Sequence, residues 1–339
     1  MKLTLDPKSF VEAISWATKN YDSKDSNAYV ALVVDKNGKG HLFHSNSTAY
    51  LRAPFQVIDS EFTKEEIAKG TMSLALEGQY LKRLEGALSS VTTPFELSRD
   101  FTNDASTVNL KTANGKFTLP LLAVKVATEP TIISLGEVDD REYFDSLQRL
   151  SKLCDAVNAG FLPALGAVAI TLNVDEKKIA LMATDRYALG EITLSYDPTN
   201  EAPDYIKTRN GKDLLLPVEL ATLIAPSKGL TSSTTLVHEP KGQKFGYQFG
   251  DGRVAVFSLK DAEPLAYLRL KAGAAKDVTN SLTISTTAFK TALATVANLS
   301  WAENEIYLDI TEGGGLVVRE LHGTNKISVA VNDLTVDRD

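Results

Sequence analysis

Apolar and polar positions alternate over a short run, give way to an apolar recurrence every three or four residues, and then alternate again. This succession occurs five times. Alternation marks a strand with one buried face, and the three-four spacing marks a helix with one apolar flank. The five starts are "KLTLDPKSFVEAISWATK" from Lys2, "MSLALEGQYLKRLEGALSS" from Met72, "IISLGEVDDREYFDSLQRLSKL" from Ile132, "LLLPVELATLIAPSKG" from Leu214 and "SLTISTTAFKTALATVANLS" from Ser281. Phe10, Ile14 and Ala17 carry the first helix flank, Leu81, Leu84 and Leu88 the second, Phe144, Leu147 and Leu150 the third, and Phe289, Leu293 and Val296 the last. Strands bounded by turn formers follow each helix, as in "VVDKNGKGHLF", "VNLKTANGKFTL" and "FGYQFGDGRVAVFSL", with hairpin turns at Asn37-Gly38, Asn114-Gly115 and Asp251-Gly252.

The pattern predicts repeated β-α-β-β-β modules and an α+β fold. One module of this size buries too little apolar surface alone, so neighbours must pair, the first with the second and the third with the fourth. "KVATEPTI" around Pro130 and "LKAGAAKDVTN" from Leu270 to Asn280 read as linkers. They give expected domains at residues 1–128, 129–272 and 273–339, the last holding one module with no partner in the sequence.

Composition adds limits. The 339 residues are 43% hydrophobic and 23% charged, which suits two or three globular domains. No apolar run reaches the length a bilayer needs, "MKLTLDPKSF" lacks a signal-peptide core, and Cys154 is the only cysteine, so no intrachain disulfide can form. A cytoplasmic location is expected. The net charge of −7 excludes a uniformly basic surface but leaves room for local stripes of Lys and Arg.

Catalytic signatures are scarce: there is no phosphate-binding glycine loop and no nucleophile elbow, and Cys154 reads as a small hydrophobe on the third helix. His41 and His44 stand three apart on a predicted strand and so on opposite faces, a poor metal pair, while His238 and His322 stand alone. Asp139 and Asp140 suit a helix start. No enzyme activity and no cofactor are expected. The break at Thr184-Asp185-Arg186-Tyr187 inside "MATDRYALGEITLSYDP" is either a plain turn or part of a binding pocket. The polar helix faces recur: Lys8, Glu12, Ser15 and Lys19 on the first helix, Gln79, Lys82, Arg83 and Gly86 on the second, Arg141, Asp145, Gln148, Arg149 and Lys152 on the third, with Lys228 and Lys290 on the others. Helices set side by side would present a basic stripe to phosphates, without a base-reading constellation.

The modules, the start "MKLTLDPKSFVEAI", the phrase "ATDRYALG" and the phrase "SLKDAEPLAYLRL" resemble the bacterial DNA polymerase III β subunit family, the replicative sliding clamps. The resemblance implies a processivity factor with no active site, a homodimer ring closed head to tail, helices lining the hole around duplex DNA and sheets outside. It implies as partners double-stranded DNA, bound without sequence preference, a DNA polymerase and a clamp loader, and no membrane. Lys19, Lys24, Lys82, Arg83, Arg149 and Lys152 become the expected inner surface. Leu165, Thr184, Arg186, Tyr187 and Leu189, with Leu265, Arg269 and Leu270, become the expected pocket for a partner's linear peptide. Three features depart from the family: Ala188 replaces an arginine, Pro264-Leu265 replaces a Phe-Pro step, and the sixth module is missing. These point to a divergent, shortened member carried by a phage or other mobile element, in which "GLVVREL" is an edge strand for subunit pairing. The alternative is a clamp-like protein that forms no ring and binds or competes for host replication proteins.

Overall fold

The computed structural model describes residues 1–22, 24, 28–62, 70–99, 106–199, 213–221, 223–224, 233–241, 244–262, 265, 280–299, 306–311, 315–322, 325–331 and 334–338. All five modules are present. The first is β1 (Lys2–Leu5), α1 (Pro7–Ala17), β2 (Val30–Asp35), β3 (Lys39–Ser45) and β4 (Ala49–Glu61), and the second is β5 (Thr71–Leu76), α2 (Gly78–Leu88), β6 (Phe95–Ser98), β7 (Thr107–Lys111) and β8 (Lys116–Pro120). The third runs through β9 (Ile133–Asp139), α3 (Asp140–Ser151), β10 (Ala167–Asn173), β11 (Lys178–Thr184), β12 (Leu189–Ser195) and β13 (Asp197–Pro198). The fourth has β14 (Leu214–Pro217), α4 (Val218–Ala221), β15 (Ser233–Glu239), β16 (Lys244–Gln248) and β17 (Val254–Ser258). The fifth has β18 (Asn280–Ile284), α5 (Thr286–Leu299), β19 (Tyr307–Ile310), β20 (Leu316–His322), β21 (Asn325–Val331) and β22 (Leu334–Arg338).

Local chemistry starts the helices where the pattern places them. Asp6 caps α1, its carboxylate accepting from the Ser9 N–H at 2.8 Å, and Pro7 takes the first helical position, where a missing N–H costs nothing. Asp139 caps α3 through the Glu142 N–H at 2.8 Å. At α5 the Ser285 hydroxyl accepts from the Ala288 N–H at 3.4 Å. The expected flanks are buried: Phe10, Ile14 and Ala17, Leu81, Leu84 and Leu88, and Phe144, Leu147 and Leu150 all lie in one core. The fourth helix is described only over Val218–Ala221, and Lys228 lies outside the described residues.

One rule governs how modules join. In the first four modules the first strand pairs antiparallel with the second strand of its neighbour: β1 with β6 and β5 with β2, then β9 with β15 and β14 with β10. Each pair of modules is therefore closed by two reciprocal seams. β17 also pairs with β4, from Val254↔Arg52 to Phe257↔Ala49, which joins the fourth module's sheet to the first's. Residues 1–265 form one compact unit, and residues 266–339 form another.

The stretch around Pro130 is pinned in the first unit. Glu129 accepts from the Tyr50 hydroxyl at 2.5 Å, pairs with His41 at 2.7 Å and stands 3.6 Å from Arg52, while the Ala127 N–H donates to the Tyr29 hydroxyl at 2.7 Å. Val126 and Ile132 cover a small apolar cluster of Ala31, Phe43, Tyr50, Val237, Val254 and Val256 on the sheet. Burial pulls the Glu129 pKa up, but bonds from His41 and Tyr50 and the nearby charges outweigh it and hold the carboxyl below its ordinary value.

In the second unit β18 pairs with β22, and β19, β20 and β21 form a separate sheet under α5. "GLVVREL" is not an edge strand. β20 is hydrogen-bonded on both sides, from Leu316↔Ile310 to Arg319↔Tyr307 and from Leu316↔Val331 to His322↔Asn325, so strand addition there is closed.

Candidate functional site

The break after Met182 is a tight turn between β11 and β12, with Thr184 directly opposite Leu189. Its polar residues build the turn. The Thr184 hydroxyl donates to the Ala188 carbonyl at 2.6 Å and accepts from the Arg186 N–H at 3.0 Å. The Asp185 carboxylate accepts from the N–H groups of Tyr187 at 2.9 Å and Ala188 at 2.7 Å, which lowers its pKa. Arg186 adopts φ +83°, a left-handed conformation that a side chain rarely takes, and the bonds around it hold it there. The turn thrusts Tyr187 outward, 91% exposed.

A second segment meets this turn. Between α3 and β10 the chain makes two short 3-10 turns, Asn158–Gly160 and Pro163–Gly166. Asp155 ties them together: it accepts from the Asn158 N–H at 3.0 Å and side-chain amide at 2.6 Å, lies 3.6 Å from the Arg186 guanidinium, and donates its own N–H to the Leu165 carbonyl at 2.9 Å. The Asn158 bonds, with Arg186 adding, hold its carboxyl below the usual range. Val157 (88% exposed), Phe161 (91%) and Leu162 (42%) stand out from this segment. Large apolar side chains so exposed make this segment a candidate contact surface.

The expected pocket residues therefore fall into classes. Arg186 and the backbone of Leu165 meet at Asp155, and Tyr187 and Leu189 are exposed on the turn. The Leu165 and Thr184 side chains are buried and present little free surface. Leu265 is half-buried, and Arg269 and Leu270 lie outside the described residues. Sequence reading missed Asp155, Val157, Phe161 and Leu162. The available signal was "VNAGFLPALG", three large apolar residues among turn formers without helical or strand period.

The basic candidates are all exposed. Lys82 and Arg83 lie on α2, which packs beside α1, and Arg149 closes α3 with Lys152 as its C-cap. The Lys82 ammonium lies 6.0 Å from the Tyr21 ring centre, and Arg83 lies 5.9 Å from that of Tyr80. Lys19 is more committed. Its ammonium sits 4.7 Å from the Trp16 ring centre and donates to the Leu223 carbonyl at 3.3 Å, and burial, then Arg253, pushes its pKa down. Lys24 is exposed in the loop after α1, its N–H bonded to Asp22.

Three histidines have structural partners. His41 bonds Glu129, His44 bonds the Tyr29 carbonyl at 2.7 Å, and His238 bonds the Lys244 carbonyl at 2.9 Å. Cys154 lies just past the end of α3 rather than on it, and burial pushes its thiol up to about 11, away from nucleophilic use. Asp140 follows the capping Asp139, accepts from the Thr234 hydroxyl, and is pushed up by burial. Among the described residues no group of three or more His, Cys, Asp or Glu could hold a metal ion, and no helix is long and apolar enough to cross a membrane.

No protein-family model and no curated protein matches the sequence. Solved structures do match the fold. A DNA polymerase III β subunit from Thermotoga maritima aligns at a TM-score of 0.70 and 14% identity, covering 100% of this chain and 85% of that one. The DNA polymerase sliding clamp of Bacillus subtilis gives 0.75 at 11% identity, covering 100% and 86%. The Helicobacter pylori β clamp, solved with a DNA ligase peptide bound, gives 0.70 at 15% identity, covering 99% and 87%. The chain has the α+β fold of the bacterial sliding clamps.

Proposed function

We propose that this chain is a sliding clamp, a non-enzymatic processivity factor that tethers a DNA polymerase to duplex DNA by encircling it as a ring of two copies. The observation that supports it most is the alignment with bacterial clamps along the whole chain at TM-scores of 0.70 to 0.75. The domains at 1–128, 129–272 and 273–339 then correspond to two module pairs and a single fifth module. A protein held on DNA by topology needs only weak, sequence-independent phosphate contacts, which exposed Lys82, Arg83, Arg149 and Lys152 supply despite the overall charge of −7. Reversing those four charges together should slow DNA association and flatten its salt dependence without unfolding the protein. Unchanged salt dependence would remove them from the DNA surface.

The exposed turn is proposed as the partner site. Tyr187, Leu189, Val157 and Phe161 form the apolar rim on which a polymerase or clamp-loader peptide would anchor, and Arg186, held by Asp155, would orient it. The DNA ligase peptide bound by the Helicobacter pylori clamp is a suitable probe. Tyr187→Ala with Leu265→Ala should weaken its binding at least about tenfold, or 1.4 kcal/mol, with the solution mass unchanged. Equal affinity by calorimetry would sink the pocket.

The exposure of Leu308 and Ile310 among the described residues of the fifth module favours a second reading, a clamp-like protein that forms no ring and engages host replication proteins. Failure of DNA retention with intact peptide binding would select it. A cytoplasmic location and carriage by a phage fit either reading.

A further inference from the structure

The first two modules share one plan but finish differently. In the first, β4 runs on past its pairing with β3 and covers the second edge of β1, from Leu5↔Val57 to Lys2↔Glu61. β5 is the counterpart of β1: Leu76 meets the head of β2 as Leu5 meets the head of β6, so Ser73 stands where Lys2 does. The chain after β8 begins to cover β5 in the same way. Leu76 pairs with Leu121, and the Leu122 N–H donates to the Ala75 carbonyl at 2.9 Å. There the likeness stops: residues 123–126 form no strand, and among the described residues 71–74 pair with β2 alone.

Between β5 and the stretch 121–126 lies a cavity of about 550 Å³, a volume typical of ligand sites. Leu74, Leu121, Val124 and Val126 line it with Arg99 and Lys125, and its described lining includes no acidic residue. Val124 is 41% exposed. The N–H and carbonyl of a strand residue share one edge, and the edge alternates along the strand. Because the Ala75 carbonyl points to Leu122, the N–H and carbonyl of Ser73 point to that same edge, into the gap. A strand edge of this kind is a template for another strand.

We propose that this gap is a second partner site, in which an extended acidic segment of a partner protein adds to β5 in the place that β4 takes on β1. Main-chain bonds to Ser73 give the added strand its register. A side chain opposite Ser73 lies on the face of Val33, which pairs with Ser73 and which Val126 helps to cover, so an apolar residue suits that position. Arg99 and Lys125 make the site locally positive on a chain of net charge −7, and carboxylates on the segment complement them. The site shares no lining residue with the turn at Tyr187, goes beyond the clamp reading, and needs neither DNA nor a ring.

The probe is the peptide acetyl-Val-Asp-Val-Glu-Val-Asp-amide, added to the full-length chain and followed by anisotropy of a labelled form and by amide exchange. Binding should protect the Ser73 amide and leave those of Tyr187 and Ala188 unchanged. Ser73→Pro deletes the N–H that faces the gap and spares the bonds between β5 and β2, as a proline on the open side of an edge strand does; it should weaken binding at least about tenfold. Lys125→Glu, an exposed change that leaves the strand itself untouched, should weaken it similarly, and the peptide with lysine at each acidic position should prefer that variant to the unaltered chain. No protection of Ser73 at peptide concentrations up to about 1 mM would overturn the proposal. So would binding that both variants keep, or binding that Tyr187→Ala abolishes, which would place the peptide on the turn.

Discussion

Leu32 and Leu308 occupy comparable places, each on the strand that follows its module's helix and each on the helix-facing side. One is fully buried and the other half exposed. Nothing in the residue type distinguishes them. The difference is the neighbour: β2 is flanked by β3 and β5, whereas β19 has only β20 among the described strands. A module is thus half of a folding unit, and its apolar side becomes core or contact surface according to what lies across its seam.

The largest effect expected from this contrast is on packing. Leu32→Ala should cost about 2–5 kcal/mol in urea unfolding, the range for a large side chain deleted from a closed core. Leu308→Ala in dilute, monomeric protein should stay within about 0.5 kcal/mol. Equal costs would mean that the fifth module is closed by something in its own chain. A smaller effect separates the helix caps. Asp139→Ala, which removes a 2.8 Å bond, should cost about 1 kcal/mol, and Ser285→Ala, which removes one of 3.4 Å, distinctly less.

The smallest effect is a pH dependence peculiar to the first unit. Glu129 is depressed below its ordinary 4.5, so the stability it lends is fully present above that pH and is lost as pH falls through the folded value. Amide protection factors near residues 126–132, corrected for the intrinsic pH dependence of exchange, should therefore fall below about pH 4.5, and Glu129→Gln should abolish that fall. Persistence of the pH step in the variant would assign it to another carboxylate.

The modules were legible because their signal is local and repeated: a capping Asp6 or Asp139, an apolar flank, a turn at Asn37-Gly38. The pairing of modules followed from burial alone. Which strand meets which did not, since β1·β6 and β9·β15 join residues far apart in sequence and either partner satisfies the same alternation. The resemblance makes β20 an edge strand, and its pairing with both β19 and β21 corrects that. At the candidate site, the Thr184-Asp185 turn chemistry was readable in letters, and the resemblance pointed to Tyr187 and Leu189. Val157, Phe161 and Leu162 were not readable, because 3-10 turns impose no period long enough to see. Cys154 was placed on a helix for a similar reason: nothing in "LSKLCDA" announces that the helix stops at Ser151.

The central claim, that the chain holds DNA by encircling it, is tested most directly by topology. Protein diluted to dissociate its copies would be reconcentrated with a closed circular duplex, washed at high salt, and followed by size exclusion before and after the circle is cut once. Retention on the circle and release on linearisation is the predicted result. Equal retention on circular and linear DNA, or none on either, would contradict it.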